Sequence, residues 1–209
     1  MPRPDQDAAV SAILFDLGGV LVDVDERSAV HELARVAELD LPTADAMLFG
    51  SPGKRALDRG TITPYAHYRS WPAEARARVD YGRFLSIWNG LFCPKNEVIA
   101  LAHELAERFP LYLLSNTDLA HFSLIAARYP FMRLFRRTFL SFELGCAKPD
   151  ARIYERVAAE LPGDCDELLF IDDKSKNVAA AVTSGWQAVR FTSAETLRLD
   201  LRALGIERA

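Results

Sequence analysis

The sequence predicts an α/β fold, with a parallel sheet covered by helices on both faces and a small all-helical segment inserted after the first strand. Three observations carry this expectation. The apolar runs at residues 12–15, 111–114 and 168–171 end, respectively, at Asp16, at Ser115-Asn116-Thr117 and at Asp172-Asp173. Short apolar runs of this kind read as strands buried on both faces, as a parallel sheet requires. From about residue 95 onward, runs of this kind alternate with helical periodicity, which calls for right-handed crossovers and a Rossmann-like core. Between about Asp25 and residue 92 the rhythm is lost and the pattern stays helical, without a convincing strand. We therefore expect a core of residues 1–22 and 93–209 and a helical cap of residues 23–92.

Taken in order, residues 1–9 are polar with two prolines and read as a frayed terminus rather than a signal peptide. The first strand delivers Asp16 to a loop in which Gly18 and Gly19 permit a sharp turn. In the cap, residues 26–39 carry a helical stripe at Val30, Leu33, Ala34 and Ala37. Leu41-Pro42-Thr43 then interrupts it, because proline lacks a backbone donor. A short helix is expected over 43–49, closed by Gly50-Ser51-Pro52-Gly53. Arg59-Gly60 stops another helix, and Thr63 with Pro64 starts the next as cap and first helical residue. Trp71, Phe84 and Trp88 supply the cap with an apolar core.

The core resumes with a helix over 95–108, a strand over 111–114 and a helix over 119–128. A strand over 138–141, a helix over 151–160 and a strand over 168–171 follow. A helix over 177–184 stopped by Gly185, a strand over 188–191 and a helix over 193–204 complete the alternation.

Composition bounds the function. The 209 residues are half hydrophobic and carry a formal charge of −4 with both signs dispersed, which argues against nucleic acid as a partner. Arg133, Arg136 and Arg137 form a small basic cluster that reads as a solvated face. Cys93, Cys146 and Cys165 are scattered and make neither a disulfide framework nor a paired metal motif, which fits a reducing, cytoplasmic setting. No apolar run approaches the roughly 18 residues of a membrane span.

In an open parallel sheet the carboxyl ends of the strands converge on one crevice, which would bring Asp16, Ser115 and the Asp172-Asp173 pair together. Lys148 precedes Pro149, so its backbone favours an extended loop from which an ammonium reaches the same crevice. Asp16 there would be a nucleophile; Ser115, Asn116 and Lys148 would hold a dianionic phosphate. Adjacent aspartates at a strand end point in opposite directions, so one is expected to touch a metal directly. Asp172 is the expected ligand; Asp173 would orient metal-bound waters or pair with Lys148, with Asn177 in a similar outer role.

The four motifs together, over about two-thirds of the chain, resemble the haloacid dehalogenase superfamily. They are most similar to the branch of bacterial glucose-1-phosphate phosphatases and the phosphatase domain of soluble epoxide hydrolases. The resemblance implies a magnesium-dependent phosphatase acting through an aspartyl-phosphate on a small phosphate ester such as a sugar phosphate. It assigns the metal to Asp16, Asp172, Asp173 and the backbone carbonyl of Gly18, and the phosphate to Ser115, Asn116, Lys148 and the Gly18-Gly19 loop. One position departs: phosphatases of this superfamily usually have a second, acid–base aspartate where this chain has Gly18. A leaving group that needs little protonation would make that aspartate dispensable. Alternatively Asp23, Asp25, Glu26, His31 or His67 would replace it. The same departure leaves open a metal-free 2-haloacid dehalogenase, or a protein that binds phosphate ligands without turning them over. Tyr65, Tyr68, Trp71 and Trp88 could form a dimer surface or simply pack the cap, leaving monomer or dimer open.

Overall fold

The computed structural model describes residues 10–50 and 52–206. The expected frayed terminus lies outside the described residues. In chain order the elements are β1 (Ala12–Phe15), β2 (Val22–Val24), α1 (Glu26–Ala37), α2 (Leu41–Leu48), α3 (Gly53–Asp58), α4 (Pro64–Arg69), α5 (Ala73–Arg78), α6 (Tyr81–Asn89) and β3 (Phe92–Pro94). There follow α7 (Asn96–Ala106), β4 (Leu111–Ser115), α8 (Leu119–Arg128), β5 (Phe135–Leu140), α9 (Ser141–Leu144), α10 (Ala151–Ala158), β6 (Leu168–Asp172), α11 (Ser175–Thr183), β7 (Gln187–Arg190) and α12 (Ala194–Ala203).

The main sheet has five strands in the order β5-β4-β1-β6-β7, every neighbouring pair parallel. Alternation along β1 divides the core into two layers. Ile13 and Phe15 pack with Leu101, Leu105, Ile125 and Leu197, while Ala12 and Leu14 pack with Ile153, Tyr154, Val157 and Ala181. Both faces are thus covered, which is why β1 is apolar at every position. The chain order reverses around β1, whose partners are β4 on one side and β6 on the other. Such a switch point opens a crevice at the carboxyl ends of the strands, and there Asp16, Ser115 and Asp172 stand.

Helices α1 to α4 and α6 bury an apolar cluster around Leu33, Leu48, Leu57, Trp71, Phe84 and Trp88. Local chemistry sets their ends. Asp25 accepts from the Ser28 amide at 3.0 Å to cap α1, and Glu38 closes that helix in the left-handed region at φ 54°. Thr63 accepts from Ala66 N at 3.1 Å, with Pro64 in the first turn, as expected from the sequence.

Several expectations are corrected. The stretch 23–92 is not wholly helical at its ends: β2 and β3 pair antiparallel, Val22 opposite Pro94 and Val24 opposite Phe92, and make a two-stranded stem. Pro42 does not break a helix; Asp40 accepts from Thr43 N at 2.8 Å and α2 begins at Leu41, putting the proline in the first turn, where its missing donor costs nothing. β5 begins at Phe135 and gives way at Ser141 to the short α9. Tyr68, Trp71 and Trp88 are buried in the cluster and leave only Tyr65, at 51% exposure, to contribute to a surface.

Candidate active site

β1 ends at Phe15 and places Asp16, 5% exposed, at the head of a tight loop. Leu17 N donates to Asp16 Oδ1 at 2.7 Å and fixes the carboxylate's orientation. The loop turns back on itself through Gly19 N to Val22 O at 2.8 Å and Val22 N to Leu17 O at 3.0 Å. Gly19 has φ +84°, and a Cβ built there would lie 2.6 Å from the Asp173 carboxylate. Glycine is therefore required twice, for the backbone and for the carboxylate's approach. Gly19→Ala is expected to push Asp173 aside, at about 1–2 kcal/mol of folding stability from the strained φ, and to weaken about tenfold or more the binding of any divalent cation that this carboxylate would hold. Isothermal titration with magnesium checks this; unchanged affinity would show that Asp173 does not need that approach.

Lys148 is the centre of charge in the crevice. Its Nζ lies 2.9 Å from Asp16 Oδ1 and 2.7 Å from Asp172 Oδ2, and donates to Leu114 O at 2.9 Å, so all three protons find acceptors. The loop carrying it is braced by Asn116, whose Nδ2 donates to Lys148 O at 2.8 Å while Oδ1 accepts from Lys148 N at 2.8 Å. The side-chain amide expected to hold phosphate is thus committed to the lysine's backbone, and Asn116 works as a strut. Ser115 closes β4, 2% exposed, on the wall of the cavity. Behind it Ser141 Oγ accepts from Thr117 N at 3.0 Å and ties the loop to α9, a contact the sequence did not suggest.

The two adjacent aspartates have opposite surroundings. Asp172 is fully buried and accepts from Lys148, from Lys174 N at 2.8 Å and from Asn177 Nδ2 at 3.0 Å. Burial alone would raise its pKa, but Lys148 and these donors hold it below the usual carboxylate value. Lys148 therefore pairs with Asp172, not with Asp173 as one expectation had it. Asp173 has a buried Oδ1 without a partner, and Asn177 Oδ1 is in the same condition. Asp16 titrates the other way: burial outweighs Lys148, and the nearby Asp172 charge adds to it, so its pKa is pushed up to about 7.

These groups line a cavity of about 700 Å³, within the range of small-molecule sites. Asp16, Gly18, Gly19, Ser115, Asn116, Lys148 and Asp173 face it from the core; Phe49 after α2, Lys54 and Arg55 of α3 and Arg59 after α3 face it from the insertion. At Gly18, where an acid–base aspartate is usual, an added Cβ would stand 3.1 Å from Val24 Cγ2, so the stem occupies that side. Of the stand-ins, Asp23 and Glu26 line the cavity, and Asp23 is paired with Lys95 at 2.5 Å. Asp25 is spent on the α1 cap, His31 is exposed, and His67 is buried among aromatic rings with neither ring nitrogen partnered. Burial holds the His67 pKa below its ordinary value. The histidine that does reach the cavity wall is His121, which sequence reasoning passed over.

The haloacid dehalogenase-like hydrolase family model matches residues 10–185, which span β1, the helical insertion and β4 to α11. The chain belongs to the haloacid dehalogenase-like hydrolase family. Within it, this hydrolase is 25% identical over 199 residues to a sesquiterpene phosphatase of Aspergillus oryzae, covering 92% of this chain and 95% of the relative. It is 23% identical over 205 residues to the D-ribitol-5-phosphate phosphatase of Bacteroides thetaiotaomicron, covering 93% and 98%. Its fold is shared with a family enzyme of Bacteroides thetaiotaomicron solved with magnesium and inorganic phosphate, at a TM-score of 0.77 and 24% identity over 88% of this chain and 95% of that one.

The hydrolase's own residues fit a hard divalent cation. Asp16, Asp172 and Asp173 each offer an oxygen within 4.8 Å of the others, and the orphaned Asp173 Oδ1 is a buried acceptor that a cation would satisfy. A pH dependence follows. Because the folded pKa of Asp16 is raised from 3.8 to about 7, its contribution to stability is full below about pH 4 and is lost as pH rises through about 7. A divalent cation held by these carboxylates would require the ionised form of Asp16, so any rise in melting temperature on adding magnesium should be small near pH 5 and large near pH 8. Thermal melts with magnesium and with a chelator at the two pH values check this; an equal rise at both would contradict it.

Proposed function

We propose that this hydrolase is a magnesium-dependent phosphomonoesterase that transfers a phosphoryl group to Asp16 and then to water, acting on small phosphorylated metabolites such as sugar phosphates. The observation that carries the reading is the trio of Asp16, Lys148 and Asp173 on one cavity wall: a nucleophile, a buried cation and an orphaned carboxylate oxygen. Phosphoryl transfer asks for little more than an aligned nucleophile and positive charge around the equatorial oxygens. The Asp16 carboxylate, aimed by Leu17 N, attacks phosphorus, and the bond to the leaving oxygen breaks. Lys148 balances the carboxylates and the phosphate, and Ser115 offers its hydroxyl to a phosphate oxygen. Asp16, Asp172, Asp173 and the Gly18 carbonyl would hold magnesium, with Asp172 also anchoring Lys148; the cation would supply charge that offsets the buildup on the transferring group.

Gly18 then has a chemical meaning. With no carboxylic acid at that position, the leaving oxygen departs with little protonation, which favours good leaving groups such as the anomeric oxygen of a sugar 1-phosphate. General acid help is worth about 10²–10⁴-fold, and its lack should appear as a steep dependence of rate on leaving-group pKa. Residues 23–92 act as the cap that closes on the leaving group and excludes water. The named activities of the two relatives, on a sesquiterpene phosphate ester and on a sugar-alcohol phosphate, support phosphate-ester hydrolysis and differ in the organic part. The adjacent carboxylates Asp172 and Asp173 weigh against a metal-free dehalogenase, in which they would repel the nucleophile without compensation.

The test compares kcat/KM for p-nitrophenyl phosphate and glucose 1-phosphate with that for glucose 6-phosphate and a simple alkyl phosphate. The expected result is a preference of at least about 10²-fold for the first pair. Equal rates across the panel would show that an acid acts from elsewhere, with Glu26 the cavity-lining carboxylate to replace next.

A further inference from the structure

The buried cluster of Trp88, Asp118 and His121 joins the insertion to the phosphate loop, and none of the chemistry above uses it. Asp118 follows Ser115-Asn116-Thr117 directly and caps α8, its Oδ1 accepting from Ala120 N at 2.9 Å and His121 N at 3.2 Å. Its second oxygen accepts from Trp88 Nε1 at 3.2 Å and lies 3.0 Å from His121 Nδ1. The other ring nitrogen, His121 Nε2, lies 2.7 Å from the Trp88 carbonyl oxygen. Each ring nitrogen thus faces an acceptor, the Asp118 carboxylate on one side and the Trp88 carbonyl on the other. The His121 ring stacks on Trp88 at 4.7 Å and 10°, and Trp88 stacks in turn on Phe49 at 5.5 Å. Trp88 is fully buried and Asp118 is 1% exposed, while His121 and Phe49 form part of the cavity wall.

We propose that Asp118 and His121 are positioning residues: they seat the last turn of α6, through Trp88, on the N-terminus of α8, and thereby hold the aromatic wall of the cap at a fixed distance from Ser115 and Asp16. Three interactions converge on Trp88 from one core helix turn, the Asp118 carboxylate on its ring nitrogen, His121 Nε2 at its carbonyl and the stacked His121 ring, so few alternative seatings satisfy the same groups. Besides His121 of α8 itself, the titratable and charged groups that act on Asp118 are Lys54 of α3, His67 of α4 and Tyr81 of α6, all three on the cap side. The joint thus links the wall that meets the leaving group to the loop that meets the phosphate. Its kinetic consequence rests on the phosphatase reading; its structural consequence does not.

The experiment uses the full chain and two variants. His121→Phe keeps the stacked ring and loses both polar contacts; Asp118→Asn keeps an acceptor for the α8 cap and loses the charge. Hydrogen exchange read by mass spectrometry is expected to quicken about tenfold or more in α6 in both variants, with β1, β4 and β6 unchanged. With magnesium present, KM for p-nitrophenyl phosphate is expected to rise about tenfold. For acetyl phosphate, too small to reach the cap wall, kcat and KM stay within about twofold. Exchange in α6 that is unchanged, or raised equally throughout the core, would overturn the proposal, as would equal losses on the two substrates. Absence of turnover in the parent chain would count against the phosphatase reading, and the exchange comparison would then decide the positioning claim alone.

Discussion

Asp16→Asn is expected to remove phosphate release, by about 10⁴-fold or more, and to leave the metal-free fold at least as stable as the parent near pH 8. The first half follows because an amide has no carboxylate to attack phosphorus. The second half is less obvious and comes from the burial of the site. Asp16 is 5% exposed and its pKa is pushed up to about 7 by that burial. Holding it ionised at pH 8 costs a few kcal/mol against an unfolded chain in which the carboxyl titrates near 4. Asparagine is isosteric and neutral, and still accepts from Leu17 N. Lys148 keeps Asp172 and Leu114 O as acceptors when the charge at residue 16 is gone. Circular dichroism melts with a chelator present check the fold. Residual turnover within about tenfold of the parent would remove Asp16 from the nucleophile's role.

Lys148→Met is expected to be the most destabilising single change in the crevice. It preserves the length of the stem but removes the cation between Asp16 and Asp172, which are 5% and 0% exposed. Breaking a buried pair by deleting one partner costs about 3–5 kcal/mol, because the remaining charge is left without compensation. In a chain of this size that corresponds to a fall in melting temperature on the order of 10 °C. Asp172→Asn in the same chain should recover part of the loss, since it removes one of the stranded charges; magnesium should recover part of it by another route. A melting temperature that scarcely moves would show that the ammonium is not what holds these carboxylates together.

The sequence was most legible where physical chemistry is local. β1, β4 and β6 announce themselves as apolar runs because both faces of the central strands are buried, and the residues that end them meet because β1 is the switch point of the sheet. The stem was not legible. β2 and β3 are three residues each, their pairing joins Val22 to Pro94 across the whole insertion, and a proline in so short a strand argues against the assignment. The start of α2 was misread for a local reason, since Pro42 is equally compatible with a break and with a first turn until Asp40 is seen to cap it.

The site was legible as a set of residues and less so as a set of contacts. Asp16, Ser115, Lys148 and the paired aspartates converge as expected. Which aspartate Lys148 takes, and that Asn116 is spent on the Lys148 backbone, depend on rotamers that no spacing specifies. His121 escaped notice because a histidine three residues after a capping aspartate reads as ordinary helix chemistry. Its second partner, the Trp88 carbonyl, lies 33 positions earlier, in the insertion. The pair Asp118 and His121 at i, i+3 was the one signal present.

Phosphoryl transfer in this crevice is proposed to need both Asp16 and magnesium. Phosphate release from p-nitrophenyl phosphate by the parent chain and by Asp16→Asn, each with magnesium and with a chelator, tests it most directly. Release by the parent is expected only when magnesium is present, and none by the variant in either condition. Release that persists in the chelator would contradict it, as would chloride release from 2-chloropropionate under those same metal-free conditions.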